Sequence, residues 1–147
     1  MGGAEAVANG RAFEKATDLK LRIPNYSNCV VLHQREFYKH FGFPNEVSKL
    51  LIPDEVLINS MNNTVYIIEK KFQTSEGSND EKLGGCEYRK LYFLKVLFGT
   101  GYKVEVVYLF NDWFRKERYN DTFKYMDMKG VSYFFNEIPL AALGIVA

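Results

Sequence analysis

Residues 53–73 read PDEVLINSMNNTVYIIEKKFQ, and the fold turns on how they pair. Two runs within them, residues 54–60 (DEVLINS) and 64–71 (TVYIIEKK), are rich in β-branched and aromatic residues, the types that fit a pleated, half-buried surface. Between the runs stands Asn62-Asn63, and asparagine tolerates the positive φ that tight hairpin turns require. A two-residue turn there sets Met61 opposite Thr64, Asp54 opposite Lys71 and Val56 opposite Glu69. Side chains alternate along a strand, so Asp54, Glu69 and Lys71 then share a face with Val56, Ile58, Val65 and Ile67. Glu55 pairs with Lys70 on the other face. A three-residue turn would oppose Asp54 to Lys70 and bring Glu55 onto the face of Glu69, which leaves open whether Asp54 or Glu55 is the first acid of the set. The two-residue register is preferred because its pairings are better on both faces.

Two carboxylates at the end of an apolar strip are costly unless positive charge accompanies them. Lys71 supplies one charge, and a divalent cation would supply the rest. Oxygen-only ligands suit Mg²⁺, which binds through one or two carboxylates plus phosphate. The chemistry implied is metal-assisted hydrolysis, in which the metal polarises a phosphoryl oxygen and acidifies a bound water while Lys71 orients that water or stabilises the developing charge. The bland alternative is that Asp54 merely starts a strand and Glu69-Lys70-Lys71 is a solvated strand end, since so short a pattern recurs by chance. The matched faces of the hairpin favour the site.

Outward from the hairpin, residues 8–20 read as a short helix and residues 30–41 as a second, with a strand start at Val30-Val31 as the other possibility. A longer helix is expected over residues 80–98, with Asp80 as N-cap and Gly99 and Gly101 at its end. Residues 103–110 (KVEVVYLF) read as a central strand, residues 113–129 as a polar helix and residues 131–135 as a last strand. The order points to an α/β layer arrangement with a mixed sheet in one domain spanning residues 1–147.

Composition agrees with a packed, single-domain chain: 147 residues, 47% hydrophobic, with 12 Phe, 10 Tyr and one Trp. The net charge of +1 excludes binding of nucleic acid by bulk charge alone. Cys29 and Cys86 are too few for a disulfide framework and form no zinc-binding pair, which reads as two reduced thiols in a cytoplasmic protein. The N-terminus is expected to be neither a secretory signal nor a myristoylation site, and no apolar run nears the ~20 residues needed to cross a bilayer.

Pro53-Asp54, a hairpin and then Glu69-Lys70-Lys71 resemble the PD-(D/E)XK nuclease superfamily. The run Ile67 to Gln73, followed by Gly77-Ser78-Asn79-Asp80-Glu81-Lys82, looks like a stretch of some type II restriction endonucleases, and the resemblance extends over about residues 50–98. Asn79 departs from that subgroup, which has an apolar residue there, and Gly84-Gly85 stand where it has helix formers. The resemblance implies a restriction-endonuclease-like core, a mixed central sheet flanked by helices. It implies Mg²⁺ held by Asp54 and Glu69, with Lys71 as the catalytic lysine. A further glutamate from the first helix would be Glu14, with Glu36 as the alternate, and Gln73 would position the strand or a phosphate. The function implied is a metal-dependent endodeoxyribonuclease of restriction type acting on double-stranded DNA. Another nuclease of the superfamily (homing, repair or junction-resolving) and a non-catalytic binding domain with the same core are the alternatives. The length fits a homodimer, a cleavage subunit in a heterodimer with a larger recognition chain, or a cleavage domain of a longer enzyme.

Lys82, Arg89 and Lys90 are expected phosphate contacts, as are the basic residues between Trp113 and Lys129, whose aromatics Trp113, Phe123 and Tyr125 are assigned to the core side. His33 and His40, seven apart, do not suit a shared metal site and read as ordinary polar residues. The apolar tail from Ile138 packs on the core or on a partner.

Overall fold

Five strands form a single open sheet in the computed structural model, which describes residues 3–23, 28–45, 47–75 and 83–146. They are β1 (Cys29–His33), β2 (Glu55–Asn59), β3 (Thr64–Lys71), β4 (Lys103–Phe110) and β5 (Ser132–Phe135), and they lie side by side in chain order. β1, β2 and β3 run antiparallel to one another, whereas β4 is parallel to β3 and β5 to β4. Parallel neighbours need a crossover, and α4 (Cys86–Val96) and α5 (Asn120–Met128) supply the two. α1 (Gly3–Ala16) and α2 (Leu19–Arg22) precede β1, and α3 (Glu36–Phe41) lies between β1 and β2. The architecture is α/β with a mixed open sheet flanked by helices.

Alternation sorts the core into two layers. Val56, Ile58, Val65, Ile67, Val106, Tyr108 and Phe110 face α3, α4 and α5, which contribute Phe37, Phe93 and Phe123. Leu57, Tyr66, Ile68, Val107 and Leu109 face the opposite way, onto Leu19 of α2 and onto Ile138, Leu143 and Ile145 of the C-terminal segment. Each such buried side chain contributes about 1.5–3 kcal/mol. The apolar tail therefore packs on the core. Both cysteines are free thiols. Among the described residues, no helix is long and apolar enough to cross a membrane.

The hairpin forms, but its turn is longer than the sequence suggested. Asn59 faces Thr64 across a four-residue loop, Ser60 to Asn63, so that Val56 faces Ile67 and Glu55 faces Ile68. Only Asn63 takes a positive φ, of 55°. Its side-chain amide donates to Gly101 O at 2.6 Å and its carbonyl accepts from Lys103 N–H at 2.9 Å. The loop is thus clamped to the start of β4, a tertiary contact that a two-residue turn would forgo. The register moves by two residues, and a shift of two leaves every side chain on its expected face.

Four helix expectations need correction. The helix expected over residues 8–20 is two, one ending at Ala16 and the next starting at Leu19 behind its N-cap Asp18. Residues 29–33 pair with β2 as an edge strand, and the helix in that region is only Glu36–Phe41, after a turn in which Gln34 takes φ 47°. The strand start at Val30-Val31 was the better of the two readings there. The helix expected over residues 113–129 begins at Asn120; before it, two 3₁₀ turns flank an extended Lys116 and bury Phe114 and Tyr119 together. The helix expected over residues 80–98 spans Cys86–Val96, preceded by a 3₁₀ turn at Leu83–Gly85, and the proposed Asp80 cap lies outside the described residues.

Candidate active site

Asp54 stands immediately before β2, and its Oδ2 accepts a 2.7 Å hydrogen bond from Lys70 N–H, which fixes the carboxyl against β3. Glu69, the middle acid of the motif, is 2% exposed. Arg89 of α4 donates to its Oε1 at 2.7 Å. Burial pushes the Glu69 carboxyl up to about 8, and the Asp54 charge and a hydrogen bond between the two carboxyls push the same way against Arg89 and Lys71. Lys71 is half-buried, on the Glu69 face of β3, and its charge acts on both Glu69 and Glu14.

Glu14 reaches this end of the sheet from α1, which is fastened there by the Phe13 ring against Phe72 at 5.4 Å. Burial raises the Glu14 carboxyl, and Asp54 adds to the rise. A cleft of about 340 Å³ is lined by Glu14, Asp54, Glu55 and Lys70 together with Asp18 and His33. Glu69 and Lys71 do not line it, so Asp54 is the residue shared by the cleft and the buried acid pair. Glu36, the alternate to Glu14, is engaged elsewhere: its Oε1 accepts from His33 N–H at 2.8 Å and from Lys20 Nζ at 3.0 Å.

The opposite face of the hairpin end carries a second polar cluster. Lys70 Nζ lies 3.0 Å from Glu55 Oε1, both side chains nearly fully buried, as the expected Glu55–Lys70 pairing requires. His33 Nε2 is 2.8 Å from Asp18 Oδ1 and 3.1 Å from Glu55 Oε2, and the three ligand atoms all fall within 4.8 Å of one another. Backbone donors reach both acids of this cluster, and burial raises the Glu55 carboxyl. Glu55 Oε2 accepts from Leu19 N–H at 2.9 Å, and Asp18 caps α2 through Lys20 N–H at 2.9 Å. Burial raises the Asp18 carboxyl, but hydrogen bonds with Glu55, Lys20 N–H and His33 outweigh it and hold the group below the usual range. The sequence reading missed this cluster. The register of β1 sets His33 opposite Glu55, a pairing that is hidden once His33 is assigned to a helix.

The expected DNA-contacting residues divide. Gln73 is buried, and its backbone exchanges hydrogen bonds with the Asn111 amide at 3.1 and 2.7 Å, which ties the end of β3 to the end of β4. Arg89 is on Glu69. Lys90 Nζ donates to Lys129 O at 3.0 Å and Gly130 O at 3.1 Å, at the C-terminus of α5. Lys82 lies outside the described residues. Arg115 pairs with Asp112 at 2.7 Å, the Lys116 ammonium sits 3.1 Å over the Trp113 ring, and Lys124 is exposed. Phe123 is buried, with Trp113 and Tyr125 half-buried against the same core.

No protein-family model matches this chain, and no curated protein is significantly similar to it in sequence.

Proposed function

We propose that this chain is a metal-dependent endodeoxyribonuclease of restriction type built on a restriction-endonuclease-like core. The observation that carries the reading is the buried Glu69 carboxyl beside Asp54 at one strand end, with Lys71 on the same face. The donors are all oxygen: Asp54 has one oxygen beyond its bond to Lys70 N–H, and Glu69 one beyond Arg89. That set fits Mg²⁺, which takes one or two carboxylates and fills its other positions with water and phosphate oxygens. When bound, the ion would polarise the scissile phosphodiester and acidify a water.

Asp54 and Glu69 are the ligands in this reading, and Arg89 orients Glu69 from behind. Lys71 donates to the attacking water or to a non-bridging phosphate oxygen. Glu14 lines the same cleft as Asp54 and in this reading takes a proton from the site. Water attacks phosphorus in line, and the strand is left with 5′-phosphate and 3′-hydroxyl ends. The mixed sheet, with a three-stranded antiparallel unit and a helical crossover to a parallel strand, supports the core assignment.

One observation favours a second reading. Arg89 already offers Glu69 a cation at 2.7 Å, as in a domain that keeps the core and binds DNA or protein without cutting. A plasmid-cleavage assay with Mg²⁺ on the parent and Lys71→Ala chains separates the two. Cleavage by the parent alone supports the nuclease. If neither cuts, a calorimetric Mg²⁺ titration on the parent and Asp54→Ala decides, and absence of metal binding removes the nuclease reading.

A further inference from the structure

Asp18, His33 and Glu55 meet from three places in the fold. Asp18 is the cap between α1 and α2, His33 ends β1, and Glu55 opens β2 directly opposite His33. Asp18 Oδ1 and Glu55 Oε2 lie 2.8 and 3.1 Å from one and the same atom, His33 Nε2. That nitrogen carries at most one proton, so it does not give a full hydrogen bond to both. Glu55 is 1% exposed, and among the described residues nothing donates an aligned hydrogen bond to its Oε1. Lys70 brings its charge to within 3.0 Å of that oxygen but donates to Glu14 O, at 3.3 Å.

We propose that Asp18 Oδ1, His33 Nε2 and Glu55 Oε2 bind a divalent transition ion of the Zn²⁺ class, at a site separate from the Asp54–Glu69 pair. The three atoms all lie within 4.8 Å of one another. Atoms bonded tetrahedrally to Zn²⁺ stand about 3.3–3.6 Å apart, so the trio has only to spread slightly around the ion. One imidazole nitrogen with two carboxylate oxygens suits Zn²⁺, whereas Mg²⁺ takes oxygen ligands. The imidazole ligates as the neutral ring, with its proton on Nδ1.

The surroundings supply an independent argument. Ligating carboxylates are held in place by an outer ring of hydrogen bonds and charges. Lys20 N–H on Asp18 and Leu19 N–H on Glu55, each at 2.9 Å, and the Lys70 ammonium already fill those roles. All three ligands line the cleft of about 340 Å³, which gives an ion a way in and leaves water the fourth position. A bound ion fastens the junction of α1 and α2 to the β1–β2 edge of the sheet.

The test reads Zn²⁺ binding, so it stands whether or not the chain cuts anything. The chain has two histidines, and imidazole NMR on the parent, with the rings assigned through His40→Ala, reads the site without altering it. Zn²⁺ should shift the His33 ring and leave the His40 ring in place. By calorimetry Asp54→Ala should still bind Zn²⁺. Adding His33→Ala to that variant should weaken binding by at least about tenfold, the lower bound for loss of even an outer partner of a metal site. A His33 ring that Zn²⁺ leaves unmoved in the parent overturns the proposal. So does Zn²⁺ binding that Asp54→Ala abolishes, or that the added His33→Ala leaves unchanged.

Discussion

On one face of the β3 end, Lys70 is buried 3.0 Å from Glu55, while His33 bridges Glu55 and Asp18 and the Leu19 amide donates to the Glu55 oxygen that His33 contacts. On the other face, one residue along the chain in either direction, Glu69 is hydrogen-bonded to Asp54 with Arg89 as its close cation and Lys71 only half-buried. Both faces carry two acids and two basic groups. In both clusters burial raises the glutamate carboxyl and an aspartate stands beside it. What differs is the lysine: Lys70 is nearly fully buried against Glu55, whereas Lys71, on the Glu69 face, is only half-buried. The contrast is between a cation sealed into the core and one left at its edge, although the two clusters use the same residue types one position apart.

That contrast can be broken by substitution of adjacent lysines. The largest expected effect is on activity: Lys71→Ala should lower Mg²⁺-dependent plasmid cleavage by about 10²–10⁴-fold, the range for loss of a proton-transfer group. Its unfolding free energy should stay within about 0.5 kcal/mol of the parent, as for a substitution outside the core. Lys70→Met should do the reverse, costing about 3–5 kcal/mol in urea unfolding because it leaves the Glu55 carboxylate buried without its cation. A cost under about 1 kcal/mol would show that the Glu55–Lys70 pair does not hold the fold.

The raised Glu69 carboxyl gives a sharper version. Its folded-state value of about 8 lies above the ordinary 4.5, so folding favours the protonated form. Stability from this group is fully present below about 4.5 and is lost as pH rises through about 8. The metal-free chain should therefore melt at progressively lower temperature across that window, and Glu69→Gln should flatten the slope. A parent profile already flat there would mean that Glu69 is ionised in the folded chain and that Arg89 alone satisfies it. The smallest effect concerns Lys90. Lys90→Ala should cost about 0.3–1 kcal/mol through the C-terminus of α5, while DNA affinity and its salt dependence stay unchanged. A reduced salt slope would return Lys90 to the phosphate contacts.

How much of this was legible in residues 53–73 depends on the kind of information each feature needs. Strand existence and face assignment were legible, because a period of two survives an error of two residues in register. The turn length was not, because the clamp between Asn63 and Gly101 joins residues far apart in the chain. β1 was obscured because an edge strand of five residues has too little pattern to outweigh the helical residues that follow it. The His33 cluster was lost with it. The helix over residues 113–129 was overextended because its polar pattern holds no sign that Phe114 and Tyr119 must turn inward together.

The sequence alone determined that Glu69 and Lys71 share one face of β3 and Lys70 takes the other, since alternation along a strand is local geometry; the register of β2 on β3 decided that Asp54 joins Glu69 and Glu55 joins Lys70. Tertiary structure alone decided which acids are satisfied. That depends on Arg89 arriving from α4, Glu14 from α1 and His33 from β1, and the ionisation of a buried carboxyl is set by neighbours in space, whatever their distance along the chain.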